Sequence, residues 1–356
     1  HLNSYARPRT SRYLHELAPP PRRQRPTRIR ALRVPERLYG HLTLLLGACV
    51  VLLIGTGGWV RLSESGLGCP TWPSCYVHRL AAQDSYHAMV EFANRCMITA
   101  VGILAIAALT GALLRRERRA DLVWLSLGLV VGYVGEAILG GITVLLKLAP
   151  ALVAAHLVLA MLLLLDAVVL HWRAGEGATR EQADGPSTAV PVAGVHVRRL
   201  GRLMFAAIGL VVVLGTVATG SGPRAGSPDT PRFHFRFSAT VELHAVVGMF
   251  LFGLVVAFYF LLRTIGLPRR VRATYTVVVA TMALQGVLGY VQYFTNLRTG
   301  LVEAHILGAA LLIIAVVRLN LELGPPRIER TASARKHAEG SRRFALAPRS
   351  APKAAG

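Results

Sequence analysis

Hydrophobic positions along this chain fall in eight unbroken blocks separated by short polar breaks. The blocks run approximately over Leu38–Val60, His87–Leu114, Asp121–Leu146, Ala151–Trp172, Leu203–Gly222, Ser238–Leu262, Arg272–Phe294 and Gly300–Leu319. Each is near the roughly 20 residues a helix needs to cross a bilayer core. Apolar residues fill whole stretches instead of alternating with polar ones, so the blocks read as transmembrane helices and not as barrel strands.

Two pairs of blocks repeat. Gly135–Asp166 returns, shifted by 149 residues, as Leu284–Ala315, and Leu139/Leu288, Gly140/Gly289, Leu148/Leu297, Leu152/Leu301, Val153/Val302, Ala155/Ala304 and His156/His305 coincide without a gap. More loosely, Leu53-Ile54-Gly55-Thr56 resembles Val213-Leu214-Gly215-Thr216. A fixed-offset repeat predicts two related halves. Four helices per half is an even number, so both halves enter the membrane from the same side. The expected architecture is an all-α integral membrane protein of two four-helix bundles in pseudo-twofold relation about the membrane normal. The expected divisions are a basic tail over 1–37, an N-terminal bundle over 38–172, a flexible linker over 173–202, a C-terminal bundle over 203–319 and a second basic tail over 320–356.

Composition and charge supply the orientation. Of 356 residues 53% are hydrophobic, which excludes an ordinary soluble protein of this size. The net charge of +22 is concentrated in the tails, ten arginines lying between Arg7 and Arg37. With Pro19, Pro20, Pro21 and Pro26 among them, the first residues cannot bury a core and read as disordered. So long a basic stretch, leading into a span-length apolar block with no small-residue cleavage site, does not read as a secretory signal. Arg115-Arg116-Glu117-Arg118-Arg119, Arg198-Arg199 and Arg269-Arg270 mark one set of loops as cytoplasmic, which places both termini inside a bacterial plasma membrane. On such a protein the tails are expected to set topology and touch anionic lipid, not nucleic acid.

Candidate chemistry lies near the outer ends of the even-numbered blocks. His156, His244 and His305, with Asn94 at the corresponding place in the second block, fall roughly 8–12 Å below the outer surface at 1.5 Å rise per residue. One membrane histidine is as readily a packing residue as a functional one. Three at equivalent positions of a repeat match the demands of axial haem ligation, and haem suits an apolar bundle. Bare zinc or copper would more often recruit carboxylates or thiolates, and none repeats at this depth. In the C-terminal half His244 and His305 make a complete pair, whereas His156 is matched by Asn94, a poor iron ligand. His87 is either an extra ligand from higher up or an interfacial residue. Glu91 shares a helix face with Asn94 and is either functional or an interfacial cap. Arg95 is placed to pair with Glu91 or a haem propionate, and Arg61 to contact a propionate or sit solvated in a loop. Glu242 and Glu303 read as water-exposed, and Glu136 with its counterpart Gln285 as interhelical hydrogen-bonding groups. Cys49 and Cys96 read as core residues. Cys69 and Cys75 lie on an oxidising face, where a disulfide is plausible, either structural or redox-active.

The stretch GGWVRLSESGLGCPTWPSC (Gly57–Cys75), the EFANR of Glu91–Arg95 and the three histidines together resemble the haem A synthase family, from Leu38 to about Leu319. The resemblance implies two four-helix bundles and oxidation of a haem O ring methyl to the formyl of haem A, for use in terminal oxidases. It implies haem b on His244 and His305, substrate haem O at His156 and the second-helix position, activity dependent on Glu91, and a Cys69–Cys75 disulfide. Haem O synthase, terminal-oxidase assembly factors and an unidentified electron donor are the partners it implies, with a homo-oligomer left open. Asn94 departs from the family's Glu-x-x-His-Arg pattern and points to one-sided ligation by His156, or help from His87. Two other readings are a b-type cytochrome that only transfers electrons, for example with quinone, and a transporter without cofactor. The first requires a bis-histidine haem in each half, which Asn94 counts against.

Overall fold

The computed structural model describes residues 33–76, 85–181, 194–265 and 269–323. Most of the two basic tails, Arg79 and the middle of the expected linker lie outside the described residues. Eight helices follow in order: α1 (Glu36–Leu62), α2 (Tyr86–Leu114), α3 (Ala120–Leu145), α4 (Pro150–Glu181), α5 (Val195–Ser221), α6 (Phe237–Ile265), α7 (Arg269–Phe294) and α8 (Thr299–Glu322). Each is long and apolar enough to cross a membrane, and the chain is an all-helical, multi-pass membrane protein. Among the described residues the one β-type pairing is an isolated bridge between Val34 and Arg115.

The helices overrun their apolar blocks, most of all at the expected linker. α4 continues to Glu181 and α5 begins at Val195, so helix occupies much of 173–202. Apolarity stops where the bilayer stops, but backbone hydrogen bonding continues into water wherever the side chains tolerate it.

Neighbour relations differ between the first four helices and the last four. α1 packs on α2 and α4, and α3 packs on the same two, which closes a ring. α5 packs on α6 and α8, and α7 on α8, but α6 and α7 barely touch. α1, α4, α5 and α8 make the contacts between the two groups. α8 is accordingly the most enclosed span, with 44% of its most apolar window buried, and α7 the least, with 11%.

Small residues set the close approaches, as expected where lipid tails remove the hydrophobic drive between helices. Ala105, Ala108, Gly111 and Ala112 of α2 are buried, and a Cβ added at Gly111 would lie 3.0 Å from the fully buried Tyr39 ring. Tyr39 also shares a 3.1 Å hydrogen bond with Ser126 of α3. Large apolar side chains such as Ile103, Trp124, Val131 and Phe260 are exposed on the helix surfaces. Cys96, expected in the core, is also exposed; an apolar membrane helix carries no polar stripe to say which side faces lipid.

The sequence repeat reappears in backbone geometry. Lys147 and Leu148, between α3 and α4, both have left-handed φ values (51° and 58°), and so do Asn296 and Leu297, between α7 and α8 (56° and 52°). Leu148 N–H donates to Thr143 O and Leu297 N–H to Gln292 O, each at 2.8 Å. Glu64 and Arg224, after α1 and α5, form a second matched pair at 56° and 59°. Non-glycine residues pay roughly 1–2 kcal/mol each for this conformation, and two in succession reverse the chain tightly enough to set antiparallel helices side by side.

Gly111→Leu forces either Tyr39 or α2 to move and should destabilise the protein by about 1–3 kcal/mol. Thermal unfolding in detergent measures this; an unchanged midpoint would show that the α1–α2 contact is not tight.

Candidate functional site

Two arrangements of polar groups occur within the apolar frame. The first lies among the last four helices. Because α6 and α7 stand apart, a cavity of about 940 Å³ opens between them and reaches back to α5 and α8. Val212, Leu251, Phe252, Ile306 and Leu312 are among its apolar walls, and His244 of α6 and His305 of α8 face it. The two imidazole centroids are 6.2 Å apart with ring planes crossed at 68°. Two metal–imidazole bonds of about 2 Å each, plus the half-widths of two rings, call for close to this spacing. His244 Nδ1 is 3.0 Å from the Val211 carbonyl. A carbonyl only accepts, so Nδ1–H donates and Nε2 keeps its lone pair for a ligand. His305 Nδ1 is buried with no hydrogen-bond partner, and Gln285 Nε2 donates to the His305 backbone carbonyl at 3.0 Å. An apolar slot with two facing imidazoles fits a haem, whose macrocycle is apolar and whose iron takes two axial nitrogens.

Glycines make room for these rings. Built Cβ atoms at Gly215 and Gly289 would lie 3.1 and 3.5 Å from Cε1 of His244 and His305. Gly140 stands in the same relation to His156, at 3.1 Å. Every histidine of the set thus rests against a glycine on the preceding odd-numbered helix, a regularity that spacing alone does not reveal. Arg224, whose Nη1 bonds the Thr299 hydroxyl, also lines the cavity and had no signal in the sequence beyond its place in an outer loop.

The second arrangement lies among the first four helices and the α1–α2 loop. Cys69 and Cys75 form a disulfide. Glu91, 5% exposed, accepts the Cys69 N–H at 2.7 Å through Oε2 and pairs with Arg95 Nη2 at 2.6 Å through Oε1. Arg95 also donates to the carbonyls of Cys69 (3.1 Å), Thr71 (2.9 Å), Pro73 (3.4 Å) and Ser74 (3.2 Å). The pairing of Arg95 with Glu91 is therefore realised, and the guanidinium is engaged by the loop. Gly68 passes so close to α2 that a Cβ there would lie 2.4 Å from the His87 carbonyl oxygen, and the Trp72 ring covers Gly141 of α3. The SGLGCPTWPSC stretch is thereby pressed onto the start of α2 and the end of α3.

His156 Nδ1 lies 3.3 Å from Glu136 Oε1 of α3, an ion-pair distance without hydrogen-bond alignment. Asn94 accepts a 2.7 Å hydrogen bond from Thr56 of α1. His87 is exposed and bonded to Ser65 in the loop at 2.9 Å. Arg61 donates to the Thr219 carbonyl of α5 at 2.6 Å, which ties α1 to the other helix group, and its Nε is buried without a partner. Glu303, expected to be water-exposed, instead packs a buried carboxylate oxygen against Gly55 and Gly58 of α1. Those glycines let α1 and α8 close over it, a contact between segments far apart in sequence.

Residues 40–224 match the COX15-CtaA family, described as cytochrome oxidase assembly protein; the match covers α1 to α5 and stops short of His244 and His305. A heme A synthase of Shewanella oneidensis is 25% identical over 320 residues, 79% of this chain and 94% of that protein. One of Symbiobacterium thermophilum is 29% identical over 170 residues, 47% of this chain and 55% of the relative. A third, of Exiguobacterium sibiricum, is 35% identical over 74 residues, 20% of this chain and 24% of the relative.

Arg95→Ala removes the cation that gathers four loop carbonyls and leaves Glu91 as an unpaired buried carboxylate, a loss of roughly 3–5 kcal/mol for a buried pair and less for this partly exposed one. The Cys69–Cys75 disulfide should then yield faster to a mild reductant, as read by thiol labelling over time; an unchanged rate would mean that Arg95 does not hold the loop.

Proposed function

The chain belongs to the COX15-CtaA family of cytochrome oxidase assembly proteins, and from that premise we propose how it works as a haem A synthase. It is a membrane oxidoreductase that converts a haem O ring methyl into the formyl of haem A. The pairing of His244 with His305 across an apolar cavity, 6.2 Å between centroids, is the observation that carries this reading. These two histidines would hold haem b as a resident electron carrier. His156 would hold the substrate haem O, with Asn94, already bonded to Thr56, adding no second ligand. Bound haem supplies the redox-active iron that oxidation of a methyl group requires.

The chain's own groups do the rest. The α1–α2 loop, pinned by Glu91 and Arg95, closes the outer end of the N-terminal group above His156 and limits water there. Glu91 moves protons or places water beside the substrate from a position already fixed by Cys69 and Arg95. The disulfide keeps that loop in one conformation. Arg61 and Arg224 offer positive charge to haem propionates from the outer side. Orientation follows the loop charges, with both termini cytoplasmic, the Cys69–Cys75 loop outside and the basic tails against anionic lipid. Haem O synthase upstream and terminal-oxidase assembly factors downstream are the partners, with an electron donor still to be identified.

Purification after co-expression with a haem O synthase, followed by haem extraction, tests the reading. Haem b together with haem O or haem A is expected. Haem b alone would favour an electron-transferring cytochrome, and a colourless protein would sink both. His244→Ala and His305→Ala should each abolish the low-spin haem b spectrum, and retention in both variants would refute the ligand pair. Glu91→Ala should keep that spectrum while haem A formation drops by about 100-fold or more; full activity would remove Glu91 from the reaction.

A further inference from the structure

The three histidines share one setting and differ in a single respect. Each lies near the outer start of an even-numbered helix and rests against a glycine of the helix before it. What differs is the group that faces Nδ1. For His244 it is the Val211 backbone carbonyl. For His305 it is nothing, the nitrogen being buried and unpartnered. For His156, also without a hydrogen bond, it is the carboxylate of Glu136, at 3.3 Å but out of alignment.

Glu136 is 4% exposed and lies one helical turn before Gly140, so carboxylate and glycine share a face of α3. The glycine seats the ring and the carboxylate meets its nitrogen. The 149-residue shift carries this pair onto Gln285 and Gly289 of α7. There the side chain is a neutral amide, and it turns to the His305 backbone instead of its ring. The repeat therefore keeps the seat and exchanges the charge. Glu136 Oε2 has no hydrogen-bond partner, and an unpaired buried carboxylate is expensive in an apolar bundle. The other Glu136 oxygen is the one that meets His156.

We propose that Glu136 is a positioning residue that orients His156 and makes it a stronger iron donor than His244 or His305, so that the two haem sites differ electronically. Acceptance of Nδ1–H by a carboxylate selects the tautomer with a free Nε2 lone pair and raises the ring's basicity toward a metal. A small rotation about the soft χ2 of the imidazole brings the contact into alignment. Second-shell hydrogen bonding is one of the levers that set haem reactivity and potential. The histidine with the strongest donor character is then the one holding substrate, and the two with weaker donors hold the electron carrier.

The inference rests on the assignment of His156 to haem O, and the test separates the two. Glu136→Gln keeps shape and an acceptor oxygen but removes the charge. The haem held by His156 should then shift to a higher reduction potential and a lower iron–histidine stretching frequency in resonance Raman. The haem on His244 and His305, in the same preparation, should be unchanged and serves as the folding control. Haem A formation should fall about 10–100-fold, with Glu136→Asp restoring part of it. If His156→Ala leaves the second haem signal intact, the ligand assignment falls and this inference with it. If His156→Ala removes that signal but Glu136→Gln moves neither potential nor stretch, only the inference falls. Loss of both haem signals in Glu136→Gln would mark Glu136 as a folding residue and overturn the proposal.

Discussion

A polar side chain inside the bilayer has to find its partners within the protein, because lipid offers none. Of the three histidines only His244 meets this demand with a hydrogen bond, to the Val211 carbonyl, and all three rings need the neighbouring helix to come within contact. Gly140, Gly215 and Gly289 permit that approach. Much else in the architecture serves the same end. The matched left-handed turns at Lys147-Leu148 and Asn296-Leu297 set α3 beside α4 and α7 beside α8, which brings Gly140 to His156 and Gly289 to His305.

From this common plan the first four helices and the last four diverge. The first four helices close on themselves, and the start of α2 and end of α3 are covered by a loop held through the Glu91–Arg95 pair and the disulfide. The last four leave α6 and α7 apart, with a wide apolar cavity between the paired histidines and the outside. Charge follows the same division. Glu91, Arg95 and Glu136 lie on α2 and α3, whereas Gln285 of α7 is the neutral counterpart of Glu136. Under the proposed function the His244–His305 pair needs only stable ligation, whereas the site at His156 needs proton-handling groups and controlled water. Arg61, bonded to the Thr219 carbonyl, and Glu303, packed on Gly55 and Gly58, tie the two groups together between these sites.

Eight spans, the repeat and the three histidines at one depth were legible from the chain, because bilayer thickness, hydropathy and a fixed offset are one-dimensional properties. So was the SGLGCPTWPSC loop, whose residue types are distinctive. The partner of each side chain was not. Arg95 was open between Glu91 and a propionate until the loop carbonyls closed around it. Glu303 passed for a solvated carboxylate since nothing local shows that α1 will cover it. Glu136 passed for a generic hydrogen-bonding residue for the same reason. Cys96 passed for a core residue because apolar membrane helices lack an amphipathic stripe. Helix also ran into the expected linker, since hydropathy reports the membrane boundary and not the end of backbone hydrogen bonding.

The linear pattern by itself determined the membrane class, the helix count, the repeated histidines and the chemistry they suit, through residue type and distance along a helix. Only the tertiary structure decided which nitrogen meets which acceptor, which glycine seats which ring, and which helix pair stays apart to form a cavity. Those outcomes depend on how neighbouring helices pack and on the rotation of each helix about its axis. Neither is encoded by hydropathy in a segment that is apolar on every side.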